Sequence, residues 1–230
     1  MIHSCIKKGV NLMIHSCIKK VIYLTLFLIS IVSCYPTDNN LDEKSLIKNK
    51  KYAFLTNVTH PSQKEVAPFG LTIGKITVNE ALSKYPQLIK ADSSYISYGK
   101  KEIPMPNTYA LPVSDNLTAF LQFDESTNIL QNVLIFGLKS VDFDIIKQEF
   151  KDIYSPYEEY NPSEFEAFSR GETTFEDQKK FLEKHKNEIA LFKDNGVIII
   201  LGKSINSDEV VIFYRNTSYL PVLKNKAEAY

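Results

Sequence analysis

Cysteine, histidine and paired carboxylates are the side chains with most chemistry to offer, and this sequence distributes them unevenly. All three cysteines, Cys5, Cys17 and Cys34, fall within the first 34 residues. His3 and His15 share that segment, which leaves only His60 and His185 for the rest of the chain. His60 precedes Pro61 in a polar stretch, and His185 stands among Glu183, Lys184 and Lys186. Neither has a second ligand-type residue at a metal-binding interval, and without further cysteines a structural zinc site is not indicated. No metal or cofactor is therefore expected. The chain has no Gly-x-Ser-x-Gly elbow and no Ser-x-x-Lys nucleophile motif. Gly70 and Gly74 lack the following Lys-Ser or Lys-Thr of a phosphate loop. Glu158-Glu159 is a carboxylate pair, but glycosidase carboxylates are defined by separation across a cleft, and neighbours in sequence read as a solvated run. On these residues the chain is not expected to be an enzyme.

One stretch has a stronger claim to recognition. Tyr154, Tyr157, Tyr160, Phe165 and Phe168 alternate with Glu158, Glu159, Glu164 and Glu166 between Pro156 and Pro162. Tyrosine is enriched at binding hot spots, so Tyr154, Tyr157, Glu158, Glu159 and Tyr160 are a candidate partner surface. The competing reading packs Phe165 and Phe168 under a sheet and leaves the acids in water.

The elements that must position these residues are legible from Phe69 onward. Thr77-Val78-Asn79-Glu80 has capping-box spacing, and the helix it opens carries Val78, Ala81, Leu82 and Tyr85 on one face before Pro86 stops it. Leu117, Ala119, Leu121 and Phe123 alternate as a half-buried strand does. Asp124 to Asn128 then reads as a turn, and Ile129 to Leu138 as the returning strand. Tyr95 to Ile103 and Thr108 to Val113 are weaker strands, which Pro104, Pro106 and Pro112 confine to edges or short pieces. Phe143, Ile146, Phe150 and Ile153 have helical spacing, and a further helix is expected over Thr174 to Lys186 behind a capping box at Thr173 to Glu176. Glu188 to Lys193 and Val197 to Leu201 flank Asp194-Asn195-Gly196, a hairpin turn because Asn-Gly accepts positive φ. Glu209 to Arg215 is the last strand, and the tail from Tyr219 a short helix.

This order predicts an α+β fold in which a helix followed by an antiparallel meander occurs twice in one body, the halves meeting near 139–141. Gly74-Lys75-Ile76-Thr77-Val78-Asn79-Glu80-Ala81 is similar to the Gly-Met-Thr-x-x-Glu-Val helix start of BamE-like lipoproteins, and the layout resembles these and β-lactamase-inhibitor-protein-like modules. It departs from the former by one inserted residue, and no Gly-x-Pro follows the helix.

The front of the chain differs from the body. Lys7, Lys8, Lys19 and Lys20 are its only charges before Cys34. Of 27 basic and 27 acidic residues overall, the part from Cys34 onward keeps 23 basic and 27 acidic, a net of −4. No nucleic-acid partner is expected of such a body. Behind Lys19-Lys20 comes the uncharged run Val21 to Val32, too short to span a membrane comfortably, which takes about 20 apolar residues. A basic patch, an apolar run and a small residue make a secretory signal. The run ends in Ile31-Val32-Ser33-Cys34, which resembles the lipobox of bacterial lipoproteins. The resemblance implies lipid transfer to the Cys34 thiol and cleavage between Ser33 and Cys34. With Tyr35 rather than Asp after the cysteine, it also implies the outer membrane, facing the periplasm. An uncleaved anchor with a chance cysteine is the alternative. Met1 to Lys8 recurs identically as Met13 to Lys20, so the start is either Met1 or Met13.

The expected organisation is a signal peptide over 1–33, a tether over 34–51 and a globular body over 52–230. The tether is polar, with Asp38-Asn39-Asn40 and Asp42-Glu43 among lysines. Three functions stay open: a non-enzymatic binding or assembly lipoprotein with a protein partner in the envelope, a toxin-immunity or inhibitor protein, and an envelope hydrolase with an unrecognised site.

Overall fold

A computed structural model describes residues 52–56, 65–91, 94–98, 101–158, 175–204 and 207–229. The signal segment, Cys34 and the tether lie outside them, as do His60, Glu159, Tyr160, Phe165, Phe168 and the Thr173 capping box. The described chain is α+β, with helices set against one antiparallel sheet of eight strands.

Local chemistry accounts for most of the boundaries. A short helix, α1 (Ala53–Thr56), and a 3-10 turn (Pro68–Gly70) lead to α2 (Val78–Lys84). Both halves of the α2 capping box form: the Glu80 N–H donates to Thr77 Oγ1 at 3.4 Å, and the Thr77 N–H donates to Glu80 Oε2 at 2.8 Å. Then come β1 (Ile89–Lys90), β2 (Tyr95–Tyr98), β3 (Lys101–Pro104), β4 (Thr108–Pro112), β5 (Thr118–Phe123) and β6 (Leu130–Lys139). A helix α3 (Phe143–Ile153), a two-residue β7 (Ser155–Pro156) and α4 (Phe175–Lys184) precede β8 (Ile189–Asp194), β9 (Val197–Lys203), β10 (Glu209–Asn216) and α5 (Leu220–Ala229). The β8–β9 turn takes its positive φ at Asn195 (43°) and Gly196 (72°), the geometry that Asn-Gly permits cheaply. Gly137 in β6 has φ 93°, and a Cβ there would lie 1.6 Å from the Asn116 carbonyl oxygen, so no larger residue fits.

One expectation needs correcting. Tyr95 to Ile103 is not a single strand; it folds back on itself as β2–β3, a two-stranded sheet apart from the main one. In the sequence the cue to a reversal is the glycine at Gly99-Lys100 between the two pieces.

The main sheet has the order β1-β4-β5-β6-β10-β9-β8-β7, so the centre is a pairing of two strands distant in sequence, β6 and β10. Strand alternation then gives each face its own row. On the inner face, Leu121, Val133, Tyr214 and Ile199 stand side by side across four strands, all fully buried. α3 packs on the β8–β10 side of this face with Phe143, Ile146 and Phe150, whose ring meets Tyr154, Phe192 and Tyr214 at 5.6, 5.6 and 6.3 Å. α1 joins this core too: Leu55 is fully buried, and Tyr214 Oη donates to its carbonyl at 3.0 Å.

Candidate functional site

The outer face of the same strands is built otherwise. Opposite the packed row, Phe120, Leu134, Phe213, Ile200 and Leu191 align across β5, β6, β10, β9 and β8, and all five are only half-buried. Phe136, one step along β6, meets Phe120 edge-on with centroids 5.9 Å apart. Two small clusters cover the flanks of this face. On one side α5 and the β2–β3 hairpin contribute Ile96, Ile103, Met105, Leu220 and Leu223, with Phe213 packed against them. On the other, Tyr157 and Ile198 are buried, with Phe175 and Leu182 of α4 against them. Phe120, Leu134 and Phe136 belong to neither cluster.

A polar row borders this apolar floor. Thr108, Gln122, Asn132 and Arg215 lie side by side on β4, β5, β6 and β10, all buried. Thr108 Oγ1 donates to the Met105 carbonyl at 2.7 Å, and Gln122 Nε2 to Ser94 Oγ at 3.1 Å. The Arg215 guanidinium sits 4.6 Å from the Phe213 ring centroid, a cation–π contact. Asn132 is fully buried, and both polar atoms of its side chain lack a hydrogen-bond partner among the described residues. A buried amide without partners is costly, about 1–3 kcal/mol, so this row is a polar seam the fold tolerates beside an apolar surface.

The aromatic stretch expected to form a partner surface is divided by the structure. Tyr154 is 2 % exposed and Tyr157 7 %, so neither ring presents a surface. The two are three residues apart along the extended chain at β7, which sends their side chains to opposite faces. Tyr154 enters the inner core, where burial, then the nearby Asp194 charge, pushes its phenol well above the ordinary tyrosine range. Tyr157 enters the outer cluster beneath the Lys193 ammonium, 5.0 Å from its ring centroid. Glu158 alone among the described members of that set is exposed. His185 lies on the turn from α4 to β8, its ring 4.4 Å from that of Phe181 and its Nδ1 2.6 Å from Glu188 Oε2. Among the described residues no three metal-ligating side chains come together.

The outer face carries no short motif, but it leaves a signal in the sequence. Val133 to Phe136, Val197 to Leu201 and Val210 to Phe213 are continuous apolar runs, not alternations, in the three strands at the middle of the sheet. Such runs mark strands apolar on both faces. Chemically, what an apolar floor offers is the free energy gained when water is excluded from it.

No protein family, curated protein or solved structure matches this chain.

Proposed function

We propose that this chain is a membrane-anchored lipoprotein of the bacterial envelope, tethered through lipid on Cys34, whose α+β body serves a non-enzymatic binding or assembly role. The observation that carries the reading is the basic patch Lys19-Lys20 followed by the apolar run to Ile31-Val32-Ser33-Cys34. Cleavage before Cys34 makes it the first residue of the mature chain and the only cysteine left in it. The polar 34–51 segment holds the body away from the bilayer, and the outer membrane, facing the periplasm, is the location this reading favours. Support for a binding role comes from the half-buried row Phe120, Leu134, Phe213 and Ile200. The same reading treats the sheet as two helix-plus-meander halves, α2 with β4–β6 and α3 with β8–β10, meeting near 139–141. An inhibitory surface built on Tyr154 and Tyr157 loses its support, since both rings are interior.

Metabolic labelling with a palmitate analogue tests the anchor. The wild-type chain takes the label, and Cys34→Ala abolishes it and leaves an unprocessed or released form. A Cys34→Ala chain that still carries the label overturns the proposal.

A further inference from the structure

The α5 helix and the β2–β3 hairpin are far apart in sequence, yet they share one small apolar cluster of Ile96, Ile103, Met105, Tyr219, Leu220, Leu223 and Ala227. Phe213 is the main-sheet residue packed against it. Besides the Thr108 hydroxyl on the Met105 carbonyl, three polar links cross from this unit to the sheet and its turns. Gln122 Nε2 donates to Ser94 Oγ, Lys226 Nζ lies 3.6 Å from Glu125 Oε2, and Tyr219 Oη donates to Asp124 Oδ2 at 2.8 Å.

The Asp124 carboxylate is arranged as a fixed receptor for that hydroxyl. Its other oxygen accepts four hydrogen bonds from its own turn: the Ser126 N–H (3.1 Å) and hydroxyl (2.6 Å), and the Thr127 N–H and hydroxyl (both 2.9 Å). Burial on its own would push this carboxyl up, but these bonds and the Tyr219 hydroxyl hold it well below the ordinary carboxylate range. The four local bonds do not involve α5, so the turn keeps its charge and its aim when Tyr219 leaves. On the other side, Asn216 Oδ1 accepts from the Ser218 N–H (3.1 Å) and hydroxyl (2.8 Å), which fixes the bend where β10 passes into α5. Both ends of the contact are therefore formed in advance, and a small apolar cluster lies between them. Parts of a fold joined to the rest by few apolar contacts open at a lower free energy than the whole.

We propose that α5 and the β2–β3 hairpin are one flap that opens as a unit from the outer face of the sheet, latched by the Tyr219–Asp124 hydrogen bond. Opening uncovers Phe213 and extends the half-buried row that includes Phe120 and Leu134. The proposal stands apart from the lipid anchor and does not depend on it.

Hydrogen–deuterium exchange on the full chain tests it with Tyr219→Phe, which removes the latch hydroxyl and keeps the buried ring. Peptides covering 95–104 and 220–229 are expected to exchange about tenfold faster together, the scale of a lost charge-assisted hydrogen bond. Peptides covering β8 and β9 are expected to exchange more slowly than both flap segments in wild type and variant alike. Glu125→Gln, which breaks only the more exposed Lys226 pair, is expected to change the flap rate by less than about twofold. Flap segments that exchange no faster than β8 and β9 in the wild type, independent behaviour of the two flap segments, or no change on Tyr219→Phe would each overturn the proposal.

Discussion

The two faces of one sheet, built from alternate residues of the same strands, are stabilised in different ways. On the inner face Ala119, Ile135, Ile212 and Leu201 form an unbroken buried row in the core that α3 joins. One residue along each strand, Phe120, Leu134, Phe213 and Ile200 stay half-buried, Phe213 against one small cluster, Ile200 against another, and Phe120 and Leu134 against neither. Because hydrophobic stabilisation follows the area removed from water, the first face carries stability and the second is left with surface that a partner can still cover. Phe150→Ala removes a fully buried ring packed between Tyr154, Phe192 and Tyr214, and is expected to cost about 3–5 kcal/mol in urea unfolding. A loss below about 1 kcal/mol would mean that α3 is not the main cover of the β8–β10 side of the inner face.

A smaller and pH-dependent effect is expected at the edge of the outer face. The unfolded Asp124 carboxyl titrates near 3.8, and in the folded chain it titrates well below that. A depressed carboxyl contributes stability that is complete above its unfolded value and is lost as pH falls towards its folded one. Tyr219 supplies part of that depression through the 2.8 Å bond. Asp124→Asn is therefore expected to cost about 1.5–3 kcal/mol at neutral pH, and because only the wild-type unfolded chain takes up a proton on this side chain, the gap between variant and wild type narrows below about pH 4. Urea titrations at pH 7 and pH 3 measure it. A gap that stays constant across that range would remove Asp124 as the partner that matters.

What the sequence disclosed of these two faces follows the range of the interactions. The Thr77–Glu80 box, the Asn195-Gly196 turn and the alternation of Ala119, Leu121 and Phe123 are local, and each stands in the structure where its spacing puts it. The reversal inside Tyr95 to Ile103 was harder to see, because β2 and β3 are held by α5, more than a hundred residues later. Tyr154 and Tyr157 looked like a surface because their acidic neighbours are polar, but a two-residue strand is enough to turn one ring to each side of the sheet. The outer face was the least legible. Its row exists only once β6 pairs with β10 in register, Leu134 beside Phe213, and no local spacing encodes that pairing.

Leu134 gives the finest separation of the two faces. Its chain neighbours Val133 and Ile135 are fully buried on the inner side, and Ile135→Ala is expected to cost about 2–4 kcal/mol. Leu134 itself lies between Phe120 and Phe213 on the half-buried side. A lysine there can lay its stem along those rings and keep its ammonium in water, so Leu134→Lys is expected to cost only about 1 kcal/mol. Its effect on association should be far larger, since a charge at the centre of an apolar contact must be desolvated on binding. Crosslinking in intact envelopes, compared between wild type and Leu134→Lys at equal abundance and with unfolding followed in parallel, reads both quantities. Crosslinks lost with stability nearly intact would assign binding to the outer face. Crosslinks kept at wild-type level would mean that the half-buried row is only incompletely covered core.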